Sequence, residues 1–219
     1  MASASTAFVR YSAGTALVAW FAVSLELYVV LSGHWASGKS LWLGLVHYLG
    51  FFTVLTNILC ALVLSAHALP LKSHPALRFL RTSAVITAAT VSIMGVAAGY
   101  HLLLRNLWQP AGLQALASVL LHYVVPALFS VFWWRTLSWR LPAWSDLPKI
   151  CIYPIGYGFY VLIRGEWVAQ YPYPFFDVGK IGYLAASVNA VAIFAAFVVV
   201  AAVLIAVNRR FATGLVRNA

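Results

Sequence analysis

Six runs of apolar residues, each about as long as a bilayer is thick, constrain this chain more than any other feature. They fall at about 11–32, 42–68, 79–104, 112–134, 147–164 and 181–207, and the fifth is the shortest. A helix needs about 20 such residues to cross the hydrocarbon core. With 63% hydrophobic and 8% charged residues, the chain lacks the charge that a soluble domain of 219 residues carries on its surface. The expectation is an all-α integral membrane protein, a single domain over 1–219 folded as a six-transmembrane-helix bundle. A brief polar start precedes the first run, and no small-residue cleavage pattern leads into a soluble domain. That run therefore reads as a retained span and not as a removed signal peptide.

The placement of lysine and arginine sets the expected orientation. An even number of spans puts both termini on one side, with Arg10, Lys72, Arg78, Arg81, Arg135, Arg140, Lys149, Arg209, Arg210 and Arg217. Lys39, Arg105, Arg164 and Lys180 fall on the other. By the positive-inside rule both termini are cytoplasmic. The net charge of +10 thus describes topology and lipid anchoring. Basic residues dispersed in short loops make no contiguous face for nucleic acid.

Aromatic residues repeat the same boundaries. Trp35, Trp42, Trp108 and Trp167 mark an outer belt, and Trp133, Trp134, Trp139 and Trp144 an inner one. The longest connection, 165–180, carries Tyr171-Pro172-Tyr173-Pro174-Phe175-Phe176-Asp177. Proline stops helices and tyrosine favours the interface, so this segment reads as an ordered outer loop folded as a lid. Pro126 and Pro154 should kink the fourth and fifth spans, and Gly95 and Gly99 give the third a face for close helix packing. Cys60 and Cys151 read as ordinary buried thiols. No internal repeat is evident, which argues against an inverted-repeat transporter.

Polar residues inside spans are costly, so those present mark a functional site. Thr53 lies about 16 Å and His122 about 15 Å below the outer ends of two inward-running helices, at a rise of 1.5 Å per residue. Each sits on a polar stripe: Gly50, Thr53 and Asn57 with Thr56 alongside on one helix, and Gln114, Ser118, His122, Pro126 and Ser130 on the other. A threonine hydroxyl needs a base within hydrogen-bond reach to act as a nucleophile, and imidazole can serve. Asn57, one turn below Thr53, can offer an amide donor to an oxyanion. Arg164 can bind a carboxylate head or pair with Glu26, Glu166 or Asp177. Glu26, in the first span, should find a partner at its depth, where Arg164, His47 and His101 also lie. Tyr123, Tyr153, Tyr157 and Asn189 are candidates to line the same cavity. No metal or cofactor is expected.

Three segments together resemble the androgen-induced-gene family of multipass membrane proteins, its bacterial branch most closely. They are His47-Tyr48-Leu49-Gly50-Phe51-Phe52-Thr53-Val54-Leu55-Thr56-Asn57, Leu121-His122-Tyr123-Val124-Val125-Pro126, and the stretch from Tyr153-Pro154 through Arg164-Gly165 to Phe175. The resemblance covers nearly the whole chain. It implies six spans, a bacterial plasma-membrane location, and an intramembrane threonine hydrolase of lipid esters such as fatty acid esters of hydroxy fatty acids. Thr53 would be the nucleophile and His122 the base, with membrane lipids as surroundings and a lipid ester as substrate. Two other readings stay open on the residues alone. One is a transporter or lipid-binding protein. The other is a diheme cytochrome, for which His47 and His101 would form an outer axial pair.

Overall fold

Backbone amides that leave water must be satisfied within the segment, so long apolar runs fold as helices. The computed structural model describes residues 6–70, 74–107, 109–136 and 142–217, the last seven of these by backbone alone. Its helices are α1 (Thr6–Ala36), α2 (Leu41–Tyr48), α3 (Phe52–Ala68), α4 (Pro75–Leu80), α5 (Ser83–Gly99), α6 (Gly112–Val119), α7 (Val125–Thr136), α8 (Leu147–Val168) and α9 (Val178–Arg217). Among the described residues there is no strand. Single π-helical turns, Tyr100–Leu104 and Leu120–Val124, extend α5 and join α6 to α7. Gly182, at φ +76°, interrupts α9 near its start, in backbone territory that only glycine enters freely.

Four stretches are long and apolar enough to cross a membrane: Thr6–Ala36, Ser83–Leu104, Gly112–Thr136 and Val178–Arg210. Residues 42–68, expected as one straight span, do not form one straight helix. They fall in α2 and α3, bent by 75° across Leu49, Gly50 and Phe51, and counting this pair as one span gives five. The fifth expected span forms the 22-residue α8, longer than the predicted 147–164 but more polar than the others. Leu102, Leu184, Val188, Val191 and Val199 are each more than half exposed. An apolar exterior of that extent suits lipid and not water, and the long apolar helices make this a membrane protein.

Helices α1, α3, α5 and α7 pack around one core, with α8 and α9 against α5. Cys60, Leu64, Ile86, Ile93, Val125, Phe129 and Phe132 fill it. Gly95 admits the Phe197 ring where α9 crosses α5, since a β-carbon there would lie 2.5 Å from that ring; nothing lies within 4 Å of such an atom at Gly99. Of the expected inner belt, Trp134 and Trp144 are exposed, but Trp133 is buried in the core. Trp108, Trp139, Lys72 and Arg140 lie outside the described residues, as does the side chain of Arg217.

Candidate active site

The bend between α2 and α3 creates the site. Breaking a helix exposes carbonyls on one side of the break and amides on the other. The carbonyl side can be followed atom by atom. The Leu45, His47 and Tyr48 carbonyls accept from the amides of Leu49, Gly50 and Phe51. The Val46 carbonyl accepts from Nε and Nη2 of Arg164 at 3.3 and 3.1 Å. Tyr160 donates to the Leu49 carbonyl at 3.1 Å and Tyr157 to that of Gly50 at 2.9 Å. Tyr157, Tyr160 and Arg164 share one face of α8, three and four residues apart. Gly50 lacks the β-carbon that would come within 2.8 Å of the Arg164 guanidinium.

The amide side opens on a cavity. Phe51 is extended, and Phe52, Thr53 and Val54 begin α3, so Thr53 sits in the first turn with its N–H outside the helical ladder. That N–H points to the Tyr173 hydroxyl, 3.5 Å away. The Thr53 hydroxyl lies 3.4 Å from Nε2 of His122. His122 Nδ1 lies 2.8 Å from the Ser118 carbonyl and 3.3 Å from the Ser118 hydroxyl. A carbonyl only accepts, so Nδ1 carries the proton and Nε2 presents its lone pair to Thr53. Ser118 therefore acts as the orienting third group. The Tyr100 ring stacks on the imidazole at 3.8 Å between centroids and 15° between planes, and its hydroxyl accepts from Ser118. The facing rings come from the two π-helical turns, a local geometry often found at functional sites.

The cavity has a volume of about 300 Å³. Thr53, Ser118 and His122 lie in its wall with apolar Phe51, Val54, Leu104, Leu107 and Leu121; Glu26, Gln114 and Lys180 add polar groups. The loop between α8 and α9 closes over it through Tyr171, Pro172, Tyr173, Pro174 and Asp177. That loop is pinned at several points. Arg164 Nη1 donates to the Gln170 carbonyl at 2.8 Å, Tyr171 and Tyr183 both donate to Glu166, and Asn189 donates to the Phe175 carbonyl at 3.0 Å. The Tyr171 ring lies against Gly165, where a β-carbon would collide with it. Burial holds the Tyr173 phenol above its ordinary pKa, against the opposing pull of its contacts with Thr53. Tyr173 therefore stays protonated beside Thr53.

Several expected site residues do other work. Asn57 is no oxyanion donor: its Nδ2 donates to the Thr53 carbonyl at 2.8 Å and the Leu121 carbonyl at 3.2 Å, and the side chain is fully buried. The Leu121 carbonyl is free to accept because Val125 bonds back to Leu120 and Pro126 has no N–H to continue that pattern. Arg164 is not a carboxylate anchor, since its guanidinium is spent on Val46 and Gln170. Asn189 pins the loop and does not line the cavity. Tyr123 is 40% exposed and bonds His101 on the outside of the bundle. Tyr153 bonds Thr56 behind the cavity wall. Glu26 does line the cavity, but among the described residues neither Arg164, His47 nor His101 pairs with it. His47 lies beside His34 and Phe51, and His101 beside Tyr123 and Arg105, so they do not face each other as axial ligands would.

Sequence reasoning missed Tyr173, Ser118 as orienter, and the Thr53 amide. The signals were present: a glycine three residues before the threonine, a serine four before the histidine, and tyrosines in the loop between α8 and α9. The chain matches no protein-family model, no curated protein and no solved structure.

Proposed function

We propose that this protein is an intramembrane hydrolase of lipid esters that uses Thr53 as nucleophile and His122 as general base. One observation carries the proposal. The Thr53 hydroxyl stands at a helix start, 3.4 Å from the Nε2 of a histidine whose Nδ1 is committed as a donor to Ser118. This distance is at the long end of hydrogen-bond range, as is common before a substrate draws the groups together. The resemblance of its motifs to the androgen-induced-gene family supports the same reaction class.

The steps follow from the geometry. Nε2 takes the hydroxyl proton as Thr53 Oγ1 bonds to the ester carbonyl carbon, and the carbonyl oxygen becomes an oxyanion. The Thr53 N–H and the Tyr173 hydroxyl face each other at 3.5 Å, and once an oxyanion forms there both can turn to donate to it. The first-turn amides of α3 add the positive end of the helix dipole. Collapse breaks the carbon–oxygen bond to the alcohol, which leaves with the proton from His122. Water then attacks the acyl-threonine, His122 takes its proton, and the acid departs as Oγ1 recovers a proton from the imidazolium.

The topology proposed for this chemistry has six spans, counting α8, with both termini cytoplasmic and the loop 165–180 on the outer side of a bacterial plasma membrane. The ester would reach the cavity from the outer leaflet. The test is turnover of a long-chain acyl ester by purified protein in non-ionic detergent. Wild type should hydrolyse it, Thr53→Ala and His122→Ala should not, and Thr53→Ser should retain part of the activity because it keeps the hydroxyl. Equal activity in Thr53→Ala and wild type would end the threonine mechanism.

A further inference from the structure

The charges that line the cavity restrict what can enter it. Glu26 is half-buried in the wall and has no hydrogen bond or ion pair with any described residue. Among the described residues Lys180 is the one basic side chain in the wall besides His122, and its Nζ lies 2.9 Å from Asp177 Oδ2. That lysine's charge is thus answered by the carboxylate beside it, and its side chain is 79% exposed at the mouth. Arg164, the cation that a carboxylate head would need, is turned to backbone carbonyls and lies outside the cavity wall. With Asp177 and Lys180 offsetting each other, Glu26 is left as the uncompensated group. A carboxylate without a partner in a partly apolar cavity is complemented by a hydrogen-bond donor and opposed by a second carboxylate.

We infer that the ligand is a lipid ester whose polar end carries a donor, a hydroxyl or an ammonium, and that Glu26 selects against a free carboxylate there, in contrast to the carboxylate-bearing hydroxy fatty acid esters that the resemblance implies. This specificity rests on the hydrolase reading, yet it can be tested apart from it. Three laurate esters of closely matched size differ only in the head: those of ethylene glycol, N,N-dimethylethanolamine and glycolic acid. At neutral pH the first two should be turned over with kcat/KM at least about tenfold above the third, the order of effect expected for like charges within several ångströms in a partly buried site. Glu26→Gln should raise kcat/KM for the glycolate ester and bring the three to within about threefold. The corresponding dodecyl ethers cannot be cleaved, and their binding to wild type, followed by native mass spectrometry from non-ionic detergent, should show the same order. A preference for hydroxyl over ammonium, or the reverse, identifies which donor Glu26 meets. If no ester is cleaved but the ethers keep the order, the hydrolase reading fails and the selectivity stands. A glycolate head bound or cleaved as well as the others overturns the selectivity. Should Glu26→Gln fail to fold, the wild-type order among the ethers decides.

Discussion

The two ends of the bundle are built differently. At the end opposite the cavity, α1, α3 and α7 run as unbroken helices, and Phe8, His67, Phe129 and Phe132 pack ring against ring, with Phe8 and Phe132 stacked at 5.5 Å. At the cavity end almost nothing is regular. Helices α2 and α3 meet at a bend of 75°, two helices carry π-helical turns, and Ala169 caps α8 at φ +50°. Regular helices pair their amides and carbonyls with one another, and the proposed chemistry needs some of them unpaired. The broken end supplies them, with its carbonyls clasped by Tyr157, Tyr160 and Arg164 and its Thr53 amide facing the cavity.

The largest expected effect separates these ends. The Thr53→Ala/His122→Ala double variant should lose kcat by roughly 10⁴-fold or more, about as much as either single variant, because nucleophile and base act as a unit. Phe132→Ala should instead keep kcat near wild type while destabilising the protein by about 3–5 kcal/mol, measured by thermal unfolding in detergent. A loss of kcat in Phe132→Ala like that of the dyad would erase the distinction.

Tyr173→Phe comes next. Removing one donor to the oxyanion should lower kcat by about 10²–10³-fold with little change in KM. A change confined to KM would make the loop a lid and nothing more. Asn57→Ala should act mainly on stability, by about 1–3 kcal/mol, because it orphans the buried Leu121 carbonyl. A loss of kcat in a fully stable Asn57→Ala protein would restore the role that its hydrogen bonds deny it.

The smallest effect lies at the opposite end, before α8. Asp146 accepts from the Ala143 amide at 3.0 Å and from Lys149 at 2.9 Å, and these contacts hold its carboxyl below its ordinary pKa. A lowered native pKa contributes stability above the unfolded value, which is lost as pH falls through the native one. Asp146→Asn should therefore cost about a few tenths of a kcal/mol near neutrality and nothing once the medium is acid enough to protonate Asp146. Melting temperatures of the two proteins should converge as pH falls below about 4.

The helices were legible in the sequence because bilayer thickness and apolar run length are the same constraint. The pairing of Thr53 with His122 was legible for a related reason: two polar stripes at one depth have few other places to go. The break at Gly50 was not. Apolar periodicity runs through 42–68 without a proline, and the bend depends on α8 side chains distant in sequence that donate to the freed carbonyls. Arg164 and Asn57 were misassigned for that reason. Each is a donor whose partner is a backbone carbonyl, and which carbonyls a fold leaves unpaired is invisible until helix ends are known. Pro126 was read as a kink, whereas its consequence is a carbonyl released to Asn57 beside the dyad.

The central claim is that Thr53 is an activated nucleophile, and labelling tests it most directly. Purified protein should react with a fluorophosphonate bearing an alkyl chain, and peptide mass mapping should locate the adduct on Thr53. The same label should be absent from Thr53→Ala and from His122→Ala, both of which should remain monodisperse. A label on any other residue, or equal labelling of wild type and His122→Ala, would contradict the account.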